Sequence, residues 1–181
     1  DTGCEGQANI TIAEPDELLV DVLASNQLCF GELGSIDISI SGGTGPYLIS
    51  WTGPNSFTSS DEDLSNLEMG IYDLTIEDDN ACIFNQSIEL SAPEELIVNT
   101  NPIDLDCSGD DNGSIEIDII GGTPPYFITW TADNGFSSLS EDIFNLATGT
   151  YTLTVEDDNN CIYTEDIFLF QPETFVLLSD V

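Results

Sequence analysis

The stretch GIYDLTIEDDNACI (Gly70–Ile83) decides the fold, because it returns 79 positions later as GTYTLTVEDDNNCI (Gly149–Ile162). In both copies apolar residues occupy every second position of the first half, which is typical of a β-strand with one buried and one solvated face. Both copies begin with a glycine and a tyrosine two residues later, and both end in Glu-Asp-Asp-Asn shortly before a cysteine. The chain therefore contains one strand and one acidic turn twice.

The repetition extends over most of the chain. The segment GSIDISISGGTGPYLISWTGPNSF (Gly34–Phe57) corresponds to GSIEIDIIGGTPPYFITWTADNGF (Gly113–Phe136). Each repeat contains about seven short stretches of period two, separated by glycine and proline turns, and shows no helical periodicity. We therefore predict an all-β chain of tandem immunoglobulin-like β-sandwich repeats of about 78–79 residues, arranged head to tail. The expected anchors are a core tryptophan and a corner tyrosine in each repeat: Trp51 and Tyr72, then Trp130 and Tyr151.

Three proline-containing segments, AEPDE, SAPEE and FQPET, separate the repeats. They predict the tail (last strand) of a preceding repeat at 1–15, an immunoglobulin-like repeat at 16–93, a second at 94–172 and the first strand of a following repeat at 173–181. Because linkers this short with a proline in each are stiff, we expect a semi-rigid rod rather than flexibly joined domains.

The charge of the chain is extreme: 35 of its 181 residues are Asp or Glu and none is Lys, Arg or His, which gives a formal net charge of −35 at pH 7. Such a surface repels nucleic acid and anionic lipid headgroups, so we expect neither as a partner. No apolar run is long enough for direct membrane insertion. Since the chain has no cationic side chain, its carboxylates must be neutralised by water, backbone amides or bound metal cations.

The residue types also argue against an enzyme. Without histidine the chain cannot build a Ser-His-Asp or Cys-His apparatus, and without Lys, Arg or a glycine-rich strand-to-helix turn it lacks the usual phosphate cradle. Paired carboxylates can hydrolyse glycosides, but these lie in turns and on solvated strand faces, where burial cannot tune their pKa values. We expect no catalysis.

The acidic turns have two interpretations. In an immunoglobulin-like sandwich they lie at the end that faces the preceding domain, where several carboxylates and an Asn amide could hold Ca²⁺, which takes six to eight oxygen ligands. The other interpretation is a solvated turn, since Asn and Asp tolerate turn dihedrals. The segment DCSGDDNGS (Asp106–Ser114) is a weaker candidate of the same kind. The candidate metal ligands are Glu77, Asp78, Asp79, Glu156, Asp157 and Asp158.

Five cysteines, at positions 4, 29, 82, 107 and 161, recur regularly with no histidine in the chain, which indicates disulfides in an oxidising compartment more than a zinc site. A bond between Cys29 and Cys82 is awkward, because a strand of about eight residues separates their ends of the sandwich by roughly 25 Å. Cys29–Cys161, across repeats, is the favoured pairing. The alternatives are Cys4–Cys29 with Cys82–Cys107, across the linker prolines, and free thiols.

The motifs follow a fixed order in each repeat: a cysteine, Gly-Ser-Ile, Gly-Gly-Thr-x-Pro-Tyr, Trp, and then Leu-x-x-Gly-x-Tyr before the acidic turn. This order resembles the SprB-type repeats of large surface adhesins in gliding Bacteroidota. One departure is the glycine before the last-strand cysteine, which is Ala81 or Asn160 here and survives only as Gly3. In the second repeat the matching positions are Cys107, Gly113-Ser114-Ile115, Gly121-Gly122-Thr123, Pro125-Tyr126, Trp130, Leu146, Gly149, Tyr151, Asp157 and the linker Gln171-Pro172.

The resemblance implies a secreted, outer-membrane-associated filament at the cell surface, delivered by the type 9 secretion system and moved by the gliding machinery. Its partners are then neighbouring repeats of the same polypeptide and that machinery. The segment would act as a stalk, or alternatively as a multivalent module that binds extracellular polysaccharide or matrix. The loops TGPNSFTSSDEDLS and TADNGFSSLSEDIF differ between the repeats, which favours the stalk.

Overall fold

The computed structural model describes residues 14–174, and their regular secondary structure consists of antiparallel strands apart from one short helical turn. Within them the one helical segment is a single 3₁₀ turn at Pro54–Ser56, and no helix is long and apolar enough to cross a membrane. The chain divides into two compact units: the residues up to Asn26 with Leu33–Leu90, and Gln27–Glu32 with the residues from Ser91 onward.

The first unit is a sandwich of two sheets, one of three strands in the order β1-β2-β5 and one of four strands in the order β4-β3-β6-β7. All neighbouring strands pair antiparallel. The fourth strand lies beside the third, so the sheets contain three and four strands rather than the four and three of a constant-type immunoglobulin domain. The strands are β1 (Leu19–Ser25), β2 (Gly34–Ser41), β3 (Leu48–Thr52), β4 (Thr58–Ser59), β5 (Leu64–Leu67), β6 (Gly70–Glu77) and β7 (Ile83–Leu90).

The second unit repeats this topology, with sheets in the orders β12-β9-β8 and β11-β10-β13-β14. Seven strands per repeat and their antiparallel pairing confirm the predicted immunoglobulin-like sandwich. The strands are β8 (Ile97–Ile103), β9 (Gly113–Ile120), β10 (Phe127–Ala132), β11 (Ser137–Ser138), β12 (Ile143–Leu146), β13 (Gly149–Glu156) and β14 (Ile162–Leu169).

Each unit closes one hydrophobic core, and equivalent positions fill both. The period-two pattern of the opening stretch is realised literally, since β6 alternates buried and solvated residues along its length. The buried apolar residues of the first core are Ile36, Ile38, Trp51, Leu64, Leu67, Tyr72, Leu74, Ile76, Ile88 and Leu90. Those of the second are Val98, Leu105, Ile115, Ile117, Trp130, Ile143, Leu146, Tyr151, Leu153, Val155, Ile167 and Leu169.

The predicted aromatic anchors are confirmed. Trp51 and Trp130 are fully buried, and each indole N–H donates to a backbone carbonyl ten residues later, at 3.0 and 3.1 Å. The hydroxyls of Tyr72 and Tyr151 each donate to the carbonyl four residues upstream, at 3.0 Å in both units. These bonds close the tyrosine corner at the start of the penultimate strand, so these aromatics are core residues and not a sugar-stacking platform.

The Gly-Gly turns are tight because another segment passes directly against them. Gly42 has φ +67°, and a Cβ built there would lie 1.9 Å from the carbonyl oxygen of Glu17. Gly121 has φ +70°, and its Cβ would lie 2.0 Å from the carbonyl oxygen of Glu95. Only glycine fits these two positions.

Several sequence predictions fall on residues outside 14–174. These are the preceding-repeat strand at 1–15, apart from its last two residues, the following-repeat strand at 173–181, apart from its first two, and the thiol of Cys4. The head-to-tail arrangement of the repeats stays a prediction.

Candidate functional site

In the first unit the acidic turn is organised around one carboxylate, that of Asp78, which is buried. Its Oδ1 accepts the backbone N–H groups of Asn80 and Cys82 at 2.9 and 2.8 Å, and its Oδ2 accepts the N–H of Thr44 at 2.9 Å. Thr44 belongs to the Gly-Gly turn between β2 and β3. A single side chain therefore satisfies three backbone donors and joins two turns that lie 34 residues apart in sequence.

The second unit contains the same arrangement around Asp157, which is 1% exposed. Its Oδ1 accepts the N–H groups of Asn159 and Cys161, both at 2.9 Å, and its Oδ2 accepts the N–H of Thr123 at 2.8 Å. We name this set of three amides around one Asp the carboxylate clamp.

The following Asn completes the link between the two turns. The side-chain amides of Asn80 and Asn159 donate to the hydroxyl oxygens of Thr44 and Thr123 at 2.8 and 2.9 Å. The two threonine carbonyls in turn accept the N–H groups of the second Asp in each turn at 2.8 and 2.9 Å. Every polar group of the Gly-Gly-Thr tip that points at the acidic turn thus has a partner there.

The clamp answers how a chain without cations can bury a carboxylate. Three N–H donors favour the ionised form, as a cation would, and hydrogen bonds to a charged acceptor are stronger than those between neutral groups. The N–H of Cys82, more than any other partner, lowers the pKa of Asp78 below its ordinary value, with the amides of Thr44 and Asn80 acting in the same direction against desolvation. The Asp78 charge in turn raises the pKa of the exposed Cys82 thiol.

The structure separates the six candidate calcium ligands into two kinds. Asp78 and Asp157 use both oxygens on backbone amides, while Asp79 and Asp158 are exposed and Glu77 and Glu156 are half-buried at the strand ends. Among residues 14–174 no three acidic or cysteine side chains come together as a group that could hold a metal ion. In the weaker candidate segment, Asp106 and Asn112 bond to each other. Calcium binding stays a prediction, which melting temperatures with and without excess chelator would test.

The structure joins Cys29 to Cys161, the pairing favoured from the sequence, with 5.6 Å between the Cα atoms. Cys29 lies in the connection between β1 and β2, but the segment that carries it, Gln27–Glu32, belongs to the second compact unit. There the side-chain amide of Asn159 donates to the carbonyl of Leu28 at 3.0 Å, beside the bond.

The hairpin alternative, Cys4–Cys29 with Cys82–Cys107, is wrong for this structure. Cys29 has only one thiol, and it is already bonded to Cys161. Cys82 and Cys107 are free, exposed and in different compact units.

Sequence reasoning missed the clamp itself, since it named backbone amides as a general means of neutralisation but interpreted the acidic turns only as solvated turns or metal ligands. The signal that could have found it is the joint repetition of Gly-Gly-Thr and Glu-Asp-Asp-Asn at a constant spacing. A second pair of carboxylates repeats in the same way: Asp63 and Asp142 accept the N–H groups of Ile38 and Ile117 at 3.0 and 2.9 Å.

Strand order, core tryptophan and tyrosine corner together define a protein of repeated immunoglobulin-like sandwiches. The family model of the SprB repeat matches residues 24–56 and 99–135, one segment in each repeat, which supports SprB-type repeats. A comparison with curated proteins yields no match.

Three solved structures match the chain at low sequence identity. One is Dpr11 IG1 bound to DIP-gamma IG+IG2, at 12% identity and a TM-score of 0.37, covering 83% of this chain and 97% of that chain. A structure on Dscam isoform specificity has 12% identity and a TM-score of 0.37, covering 88% and 46%. The amphioxus IgVJ-C2 molecule has 15% identity and a TM-score of 0.35, covering 83% and 95%. These likenesses are weak, and the fold class rests on the strand order.

Proposed function

We propose that this chain is a repeat segment of a large secreted adhesin filament at the cell surface and acts there as a stalk in adhesion and gliding motility. In this proposal the type 9 secretion system exports the filament, which is associated with the outer membrane. The observation that carries the proposal is the SprB repeat match in both repeats of the chain.

The covalent topology supports a role under mechanical load. Because Cys29 is bonded to Cys161, the residues between them form a closed covalent loop. Tension applied to the chain on both sides of this loop passes through the disulfide and bypasses residues 30–160. Most of both cores is then protected from being pulled out as extended chain, which is a useful property in a spacer and has no evident use in an enzyme.

The alternative is a glycan- or matrix-binding module whose weak affinity is multiplied by copy number, and this requires the same binding surface on every repeat. The exposed aromatics of the second unit do not recur in the first. Phe144, Phe168 and Phe170 are exposed, and the equivalent positions hold Ser65, Glu89 and Ser91. This difference favours the stalk.

The test is a replacement in the producing organism. Residues 16–172 are exchanged for two unrelated immunoglobulin-like domains of equal length, and a matched strain has them deleted. A stalk predicts that replacement retains surface adhesion and that deletion weakens it. Loss of adhesion in the replacement strain, with binding of the purified chain to a glycan array, would establish the binding module instead.

A further inference from the structure

The disulfide joins two different positions of the repeat. We name the cysteine between the first and second strands the loop cysteine (Cys29 and Cys107) and the one directly before the last strand the turn cysteine (Cys82 and Cys161). The bond connects the loop cysteine of the first repeat with the turn cysteine of the next. Cys82 and Cys107, one of each kind, are exposed free thiols.

The backbone that presents the free turn cysteine is the same as that of the bonded one. The Cys82 N–H donates to Asp78 Oδ1 at 2.8 Å and the Cys161 N–H to Asp157 Oδ1 at 2.9 Å. The preceding residue is left-handed in both, with φ 63° at Ala81 and 64° at Asn160. The turn of the first unit therefore holds Cys82 as the second unit holds its half-cystine.

The Asn side chain that lies beside the disulfide in the second unit has an equivalent in the first unit. In the second unit the Asn159 side-chain amide donates both to Thr123 Oγ1, at 2.9 Å, and to the carbonyl of Leu28, at 3.0 Å, in the loop that carries Cys29. In the first unit Asn80 makes the equivalent bond to Thr44 Oγ1 at 2.8 Å and is exposed. Its amide is thus oriented to donate a hydrogen bond to a loop carbonyl in the same way.

The two loop cysteines share their turn as well. The N–H of Glu32 donates to the carbonyl of Cys29 at 3.2 Å, and that of Asp110 to the carbonyl of Cys107 at 3.3 Å. In both loops the third residue of the turn is a glycine with positive φ, at +79° and +86°, as a type II turn requires. The bonded Cys29 and the free Cys107 are therefore presented by the same local structure.

We propose that Cys82 and Cys107 are half-cystines of two further disulfides of the same kind. Cys82 accepts the loop cysteine of a preceding copy of the repeat, and Cys107 bonds the turn cysteine of a following copy. Formation of each bond removes two protons and two electrons from two thiols, and a disulfide oxidant takes these up and is reduced to two thiols. The inference goes beyond the stalk function, since it rests on the duplicated cysteine environments whether or not the chain mediates adhesion.

The first test uses the 181-residue chain with Cys4→Ser and a peptide probe of sequence SNQLCFGELG, which is the loop of residues 25–34 around Cys29. The chain is equilibrated with the peptide in a glutathione buffer at mildly alkaline pH, with a scrambled peptide of equal composition as the matched probe. Peptide mapping then measures the mixed disulfide at each free thiol. We expect the yield of mixed disulfide at Cys82 to be about tenfold higher with the loop peptide than with the scrambled peptide. A factor of ten corresponds to a net contact free energy of about 1.4 kcal/mol.

Cys107 is the internal control, since a loop cysteine lacks the turn and the Asn amide that would bind another loop. The two peptides should therefore label Cys107 equally. Asn80→Ala should reduce the preference at Cys82 about fivefold, the value of one hydrogen bond, and leave its labelling by glutathione unchanged. Equal labelling of Cys82 by both peptides would overturn the inference, because Cys82 would then be an ordinary exposed thiol.

The second test uses two copies of the same Cys4→Ser chain as each other's partner. Random pairing of two equally accessible thiols would make about half of the intermolecular bonds Cys82–Cys107. We expect this bond to exceed both homotypic bonds about tenfold, and we expect Cys82→Ser or Cys107→Ser to suppress intermolecular bonds rather than divert them to the homotypic dimer. A random mixture of the three bonds would contradict the proposal.

Discussion

Asp157→Asn tests whether the carboxylate clamp stabilises the second unit. Asn is isosteric with Asp but has one acceptor oxygen, whereas Asp157 uses both oxygens. If the amide oxygen takes the Oδ1 position, the bonds from Asn159 and Cys161 persist without the charge, and the NH₂ group faces the N–H of Thr123. The reverse orientation loses two bonds instead of one.

The cost follows from these contacts. Losing one charge-assisted bond and opposing two donors at a site that is 1% exposed costs about 2 kcal/mol, and the weakening of the two remaining bonds adds about 1 kcal/mol. We therefore expect the free energy of unfolding of the second unit to fall by about 3 kcal/mol. With an m-value of about 2 kcal/mol/M, the urea midpoint would move down by about 1.5 M.

The chain offers its own reporter and control. It has two tryptophans, one in each core, so a Trp51→Phe background leaves Trp130 fluorescence to report the second unit alone. The matched control is Asp158→Asn, a neighbouring exposed carboxylate that should change the midpoint little. If Asp157→Asn shifted the midpoint no more than Asp158→Asn does, the clamp would not be a stabilising element and the reasoning would be refuted.

Three further predictions follow from other contacts. Because the pKa of Asp78 is lowered in the folded state, its contribution to stability is full above the pKa of an unfolded Asp, about 3.9, and is lost as the pH falls through the lower folded value. Asp78→Asn should therefore flatten the acid dependence of the first unit's urea midpoint. An unchanged profile would contradict the hydrogen-bonding assignment. Reduction of Cys29–Cys161 should add about 460 Å of contour length in single-molecule stretching, from a separation of 132 residues at about 3.5 Å each, and an unchanged length would mean that the bond is absent. Tyr151→Phe should cost the second unit about 1–2 kcal/mol by removing the corner hydrogen bond, while Tyr163→Phe, whose hydroxyl bonds a surface carboxylate, should cost less than about 0.5 kcal/mol; equal effects on denaturation would argue against the corner.

Local sequence determined much of the fold. Alternation of apolar residues is enough to place a strand such as β6, because the pleat sends successive side chains to opposite faces whatever their partners are. The Gly-Gly turn at Gly42 could likewise be identified, since a positive φ in a turn depends on backbone conformation within a few residues, whereas the close approach of Glu17 to it could not. Trp51 and Trp130 stood out as core residues because a tryptophan lies on the strand after the glycine turn in both repeats.

The sequence by itself determined that one β-sandwich repeat occurs twice and that Trp51, Tyr72 and their counterparts Trp130 and Tyr151 belong to the cores. Only the tertiary structure decided which acid of Glu77-Asp78-Asp79 is buried and which thiol Cys29 meets. Both outcomes depend on groups far away in the chain, 34 residues for the Thr44 amide and 132 residues for the Cys161 sulfur. The sequence of an acidic turn is the same whether water, a metal ion or a backbone amide contacts the carboxylate. The surrounding fold determines which of these partners is present.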